Sequence, residues 1–248
     1  MIWVIIPIAL ACVSFFGSWA VYGLALSYNH VCSLSNWDYR NSCQLNTSEL
    51  CCTDVNIPTI STSGTNAPEN SLFTATINAG SFLFMVFCIL HHAHVLERNS
   101  SQSLLSKAAL VFGCVSAIGA FMAGNCNPRY LVLLHYLGAA LSFVCLCFYC
   151  LLLTVLTGKC TLTGLTHILY PARVVSTCVQ ILVTICYCIL FAQEEWMYKH
   201  MSAVFEWTLS VNLELFELSF VFEFYNFSSS MLSVLLEKKD EEKSLILS

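Results

Sequence analysis

Residues 131–156 read LVLLHYLGAALSFVCLCFYCLLLTVL, an apolar run without a formal charge set between Arg129 and Lys159. About 20 such residues are enough for a helix to cross the hydrocarbon core of a bilayer. Working outward from it, similar apolar segments lie near 2–26, 72–92, 105–124, 172–192 and 202–224. The whole chain is 57% hydrophobic and 10% charged, against the roughly 25% charged residues of a typical soluble domain. Its mean hydropathy is +0.72. These values exclude an ordinary soluble domain. They predict an all-α integral membrane protein, a six-transmembrane-helix bundle over residues 1–224 followed by a tail over 225–248. The first segment lacks a basic leader and ends in Trp19 and Tyr22, so it reads as a retained helix and not as a signal peptide.

Orientation follows from the distribution of Lys and Arg, which are in excess in cytosolic loops. Arg98, Lys107, Lys159, Arg173, Lys238, Lys239 and Lys243 fall on one side, and Arg40, Arg129 and Lys199 on the other. This places both termini in the cytosol and the first loop, 27–71, outside or in a lumen. That loop carries a glycosylation sequon at Asn46 and four non-helical cysteines, Cys32, Cys43, Cys51 and Cys52. Two bridges among the four are expected, in any of three pairings, although adjacent Cys51 and Cys52 are poorly placed to bond to each other. Cys126 is a fifth thiol on the same side, either free or a partner for an odd cysteine. The sequons at Asn99 and Asn226 fall on the cytosolic side, where they stay unmodified. The tail, with an apolar Met231-to-Leu236 patch and a mixed-charge end, reads as solvated or grazing the membrane.

Charge at membrane depth is costly and marks candidate function. Glu206, Ser210, Glu214 and Glu217 fall within about 80° of arc on the sixth segment, and His135, Asn78 and Asn125 offer polar partners in the same outer half. The stripe serves either a proton, ion or lipid path or buried hydrogen bonds between helices. Gly113, Ala117, Ala120 and Gly124 form a small-residue face on the third segment, for which the fourth segment, with Gly138, is the natural neighbour. His91, His92 and His94 are candidate metal ligands with no evident fourth, so no metal is expected. Cys147 and Cys150 lie inside an apolar run, where packing explains them. Cys160, beside Lys159, is a candidate for S-palmitoylation. There is no G-x-S-x-G elbow, Gly-rich phosphate loop or H-E-x-x-H motif, so no enzyme and no cofactor are expected. No basic stripe suits a nucleic acid; membrane lipids are the expected surroundings.

The stretch Ile57-Pro58-Thr59-Ile60-Ser61-Thr62-Ser63-Gly64 with Pro68-Glu69, then Asn78, Gly124-Asn125, His135 and Glu206-Trp207, spread over six segments, resembles the damage-regulated autophagy modulator (DRAM) family. The lengthened first loop, with Cys32, Asn36-Trp37, Tyr39, Ser42-Cys43 and Cys51-Cys52-Thr53, is similar to its transmembrane protein 150 branch, the A-type members above all; Glu223-Phe224 fits the same branch. Glu214 and Glu217 stand outside the shared pattern. The resemblance implies a non-enzymatic regulator that controls recruitment of a phosphatidylinositol 4-kinase complex to the plasma membrane, and with it phosphoinositide synthesis. Residues 93–104, 157–171 and the tail are the surfaces available for such docking. The alternatives it implies are modulation of macroautophagy at endosomes or lysosomes and support of a channel.

Overall fold

The computed structural model describes residues 2–39, 52–53, 55–160, 162–228 and 231–233. Candidate residues Cys43, Asn46 and Cys51, and the tail from 234 onward, lie outside the described residues. Among the described residues, six long helices carry the fold: α1 (Ile5–Ser27), α3 (Glu69–Arg98), α4 (Ser103–Asn125), α5 (Val132–Lys159), α6 (Thr166–Phe191) and α7 (Trp196–Leu218). Two short ones are α2 (Ile60–Ser63) in the first loop and α8 (Val221–Tyr225) after α7. Among the described residues there is no strand, only one bridge between Tyr39 and Cys52.

By length and composition, residues 2–27, 69–98, 100–125, 132–159 and 166–191 suit a membrane crossing. Helix α7 is 23 residues long, about 34 Å at 1.5 Å per residue, but its three glutamates hold it below the apolarity of the others. Phe82, Val111, Leu133, Leu182 and Leu215 are well exposed on the outside of the bundle, an arrangement that is unfavourable in water and ordinary against lipid. The protein is a multi-pass membrane protein.

The long helices close a ring in chain order. Each packs on the next, α1 on α3, then α4, α5, α6 and α7, and α7 returns to α1. The turn of 3₁₀ helix at Ile2–Val4 touches α8, so the beginning of the chain and residues 221–225 share one end of the ring. At that end Phe84, Phe87, Tyr149, Phe216, Phe220 and Phe224 form the main apolar core. At the loop end, Tyr22, Ala25, Val31 and Trp207 form a smaller one.

The most extensive contact, α4 with α5, depends on a glycine outside the expected small-residue face. A methyl group on Gly119 would sit 2.7 Å from the Gly138 carbonyl oxygen and from the Ser142 nitrogen, and one on Gly138 would sit 2.7 Å from the Gly119 oxygen. The two backbones meet at this pair, as small residues allow in membranes. Gly113 instead faces Cys88 and Tyr149, and Gly124 faces Ile77, so much of the expected stripe serves α3.

The last apolar segment also differs from the continuous 202–224 helix expected. Helix α7 starts earlier, at Trp196, and stops at Leu218; α8 begins at Val221. The start of the tail is docked, with Phe227 6% and Met231 0% exposed. Burying these two side chains gains roughly 1.5–3 kcal/mol each, which a solvated tail would forgo.

Candidate functional site

Three polar assemblies stand along the axis of the ring. The first holds the outer loop. Cys32 is disulfide-bonded to Cys52, which fixes one of the pairings left open; Cys126 carries a free thiol. The Thr59 side chain accepts from the Thr62 backbone N–H at 3.0 Å and so caps α2. The backbone N–H of Ile60 donates to Glu206 Oε2 at 3.1 Å, and Trp207 Nε1 donates to the Pro58 carbonyl at 2.9 Å. Trp207 in turn packs its ring on Trp19 and Tyr22, with centroids 4.5 and 5.3 Å apart. Glu206 therefore binds the first-loop motif, and the adjacent residues Glu206-Trp207 and Pro58 to Ile60 act as one clamp.

The same loop is tied down elsewhere. Tyr39 Oη lies 2.6 Å from His200 Nδ1, and His200 Nε2 lies 3.0 Å from the Leu34 carbonyl. Only Nε2 faces an obligate acceptor, so it carries the ring proton and Nδ1 accepts from the phenol. Burial pushes the Tyr39 phenol above its ordinary value. His30 pairs with Glu69, a carboxylate that is fully buried.

The polar partners expected for the acidic stripe divide. Asn125 Nδ2 donates to Asn78 Oδ1 at 2.6 Å, on the outside of α3 and α4, so these two serve each other and neither reaches a glutamate. His135 is buried, with Nδ1 2.9 Å from both the Ala123 and Cys126 carbonyls. With two acceptors in front of it, Nδ1 is the protonated nitrogen, and the ring ties the end of α4 to the start of α5.

The second assembly is a cavity of about 220 Å³ bounded by all six long helices. Glu206, Glu214, Glu217 and His135 all border it, so the structure brings together four of the six candidate polar residues. Glu214 Oε1 accepts from Ser210 Oγ at 3.1 Å.

The third assembly lies at the end of the ring that carries α8, and sequence reading missed it. Arg173 is 1% exposed and Glu223 0%. The guanidinium donates to Glu223 Oε1 at 2.5 Å, to Thr157 Oγ1 at 2.7 Å, and to Ser219 through both its Oγ and its carbonyl at 2.9 Å. It also stacks 3.5 Å from the Phe220 ring. The Ser219 carbonyl is one of those freed where α7 ends, and Arg173 satisfies it. His91 Nε2 lies 3.3 Å from Glu223 Oε2. A buried charge pair with this many hydrogen bonds avoids the penalty of an isolated buried ion. In the sequence Arg173 reads only as a cation of the cytosolic side, and the one signal for this pair is Glu223 in an otherwise aromatic stretch.

The three histidines near that end point to different partners. His91 faces Glu223, His92 Nδ1 lies 2.7 Å from Ser106 Oγ, and His94 packs its ring at a tilt against Phe227. Among the described residues, no group of three or more His, Cys, Asp or Glu side chains is placed to hold a metal. Cys160 is 2% exposed and sits in the main core, and burial pushes its thiol up, so it is shielded from the acylation considered for it. Cys147 donates to Thr184 Oγ1 at 3.4 Å and Cys150 is buried; both cysteines are free.

The family model described as Frag1/DRAM/Sfk1/Cwh43P N-terminal domain matches residues 2–227. The chain belongs to this family. Its relatives include Transmembrane protein 150A of Xenopus laevis, 32% identical over 95% of this chain and 88% of the relative. The human Transmembrane protein 150A is 30% identical over the same shares of each. A more distant relative, human DNA damage-regulated autophagy modulator protein 1, is 26% identical over 68% of this chain and 77% of its own. No solved structure matches the chain. For this Frag1/DRAM member, the fold places the first-loop motif and Glu206-Trp207, far apart in sequence, in direct contact.

Proposed function

We propose that this chain is a non-enzymatic membrane regulator that docks a phosphatidylinositol 4-kinase complex at the cytosolic face of the plasma membrane and thereby sets phosphoinositide synthesis. The observation that carries this reading is its similarity to Transmembrane protein 150A along 95% of the chain, which supports the branch whose resemblance implies that role. The braced end of the ring is compatible with it. Arg173, Glu223 and the docked Phe227 and Met231 hold α3, α5, α6 and α8 in fixed relation, so the loops between them project from a rigid base.

The docking face is narrower than the loop ranges 93–104 and 157–171. Residues 93–96 are buried, as are Thr157, Cys160, Leu162 and Leu169. Among the described residues, the exposed positions are Arg98, Ser100, Ser101 and Leu104 in the first range, and Gly158, Lys159, Gly164, Leu165, His167, Ile168, Tyr170 and Pro171 in the second. Exchanging residues 98–104 and 163–168 for flexible neutral sequence tests the proposal: kinase recruitment is lost while the chain's own level and location hold. Retained recruitment would refute it.

A second reading, modulation of macroautophagy, is favoured by the names of relatives. These include Modulator of macroautophagy TMEM150B of Danio rerio, 28% identical over 57% of this chain. Under that reading the chain resides on endosomes or lysosomes, and its removal changes autophagic flux with plasma-membrane phosphatidylinositol 4-phosphate unaltered.

A further inference from the structure

The cavity at the centre of the ring contains buried polar atoms that the protein leaves without partners. Glu214 is 5% exposed; its Oε1 accepts from Ser210, but Oε2 has no hydrogen-bond partner. Gln180 is 1% exposed; its Oε1 accepts from Asn212 at 2.7 Å, while Nε2 is unsatisfied. On α3, Ser81 Oγ is likewise unpaired, and all three residues border the same cavity. Groups of this kind are rare in folded interiors and cost about 1–3 kcal/mol each. Two of these atoms, Glu214 Oε2 and Ser81 Oγ, can accept a hydrogen bond and point to an occupant that donates; the Gln180 amide nitrogen is itself a donor and is no partner for it.

The walls state what that occupant must be. Glu214 and Glu217, nearly one turn apart on α7, present two carboxyl groups, and no Lys or Arg borders the cavity to answer them. Most of the remaining surface is apolar, including Leu10, Phe84, Phe143, Leu146 and Leu213. A bare metal cation asks for about six or more oxygens around it, and these walls are mainly carbon. A protonated primary amine needs acceptors on one side only, since it brings three N–H donors on an apolar stem. Size agrees, because an aliphatic cavity of about 150 Å³ already holds benzene, and this one is about 220 Å³.

We infer that this cavity is a binding site for a lipophilic primary amine, its ammonium held by Glu214 and Glu217 and its hydrocarbon lying against the apolar walls. The same chemistry is carried by a free amphiphilic amine and by an amine-bearing lipid headgroup. The site does not depend on the kinase-docking reading, and its test uses no cellular readout.

The full chain in phosphatidylcholine nanodiscs is dialysed against phenylbutylamine, with the uptake of empty discs subtracted and phenylbutanol as the uncharged counterpart. Saturable amine binding is expected. The double substitution Glu214→Gln with Glu217→Gln weakens amine binding by about tenfold or more and leaves the alcohol nearly unchanged. Ala120→Phe, which fills the cavity from α4, removes both. The single Glu214→Gln serves if the double variant fails to fold, as judged by its unfolding midpoint, and weakens the amine alone. Adding phosphatidylethanolamine to the discs separates the sources. Competition assigns the site to the lipid headgroup and absence of competition to the free amine; either supports it. Amine uptake no greater than in empty discs, uptake indifferent to the glutamine substitutions and to Ala120→Phe, or displacement by sodium or calcium without amine binding would overturn it.

Discussion

Replacing Arg173 with Met removes the guanidinium and leaves its partners in place. Glu223, 0% exposed, loses its cation, and Thr157 Oγ1, Ser219 Oγ and the Ser219 carbonyl lose their donors. Removing one partner of a buried ion pair costs about 3–5 kcal/mol, chiefly because the remaining charge is stranded. For a chain of this size, each kcal/mol moves the unfolding midpoint by about 2–4 °C, so a fall on the order of 10 °C is expected. The buried free thiols Cys88, Cys150 and Cys160 provide the signal, since a thiol-reactive dye reports their exposure as the purified chain is heated in detergent. The companion variant Arg173→Met with Glu223→Leu removes both charges together. It recovers most of the lost stability, because replacing a whole buried pair with apolar side chains is often neutral. A midpoint within a degree or so of the wild type in the single variant, or a double variant that loses the sum of its two single changes, would refute the view that this pair is a mutually dependent brace.

Other consequences follow at the loop end. Trp207→Phe leaves the buried Pro58 carbonyl without its donor and costs about 1–3 kcal/mol, seen as faster amide exchange over residues 57–65. Glu206→Ala removes the acceptor for the Ile60 N–H, which costs about 1–3 kcal/mol, and frees the same segment in the same measurement. Replacing Cys32 and Cys52 together by Ser opens a loop whose ends are 20 residues apart; closing it is worth about 3 kcal/mol, and the unfolding midpoint falls accordingly. If the first loop lies outside, an Asn46→Gln chain migrates as the deglycosylated form, whereas changes at Asn99 or Asn226 leave migration unchanged; a glycan at either would reverse the orientation.

Much of the architecture was legible because membrane crossing is written in length and composition. A run such as 131–156 has few other uses, and short connections force neighbours in sequence to be neighbours in the ring. Side-chain pairings were legible only in part. That Glu206, Glu214 and Glu217 share a face was legible, since helical periodicity alone dictates it. Their surroundings were not, because Glu206 answers a backbone N–H in a loop 146 residues away, and a backbone group has no sequence signature. Asn78 and Asn125 were assigned to the acidic stripe by depth, yet a rotation of each helix turns them toward one another outside the cavity. Arg173 was hidden for a different reason. A cation beside Pro171 at a segment boundary reads as interfacial, and nothing local reveals that the break at Ser219 frees a carbonyl for it. Gly119 escaped the small-residue stripe because a face is defined by whichever neighbour approaches, and α4 has two.

The most direct test of the regulatory account raises and removes the chain in the same cells while plasma-membrane phosphatidylinositol 4-phosphate is measured, alongside a chain with residues 98–104 and 163–168 exchanged. The account predicts that the lipid rises and falls with the intact chain at the cell surface and does not respond to the exchanged one. Phosphatidylinositol 4-phosphate that stays constant while autophagic flux follows the chain would contradict it.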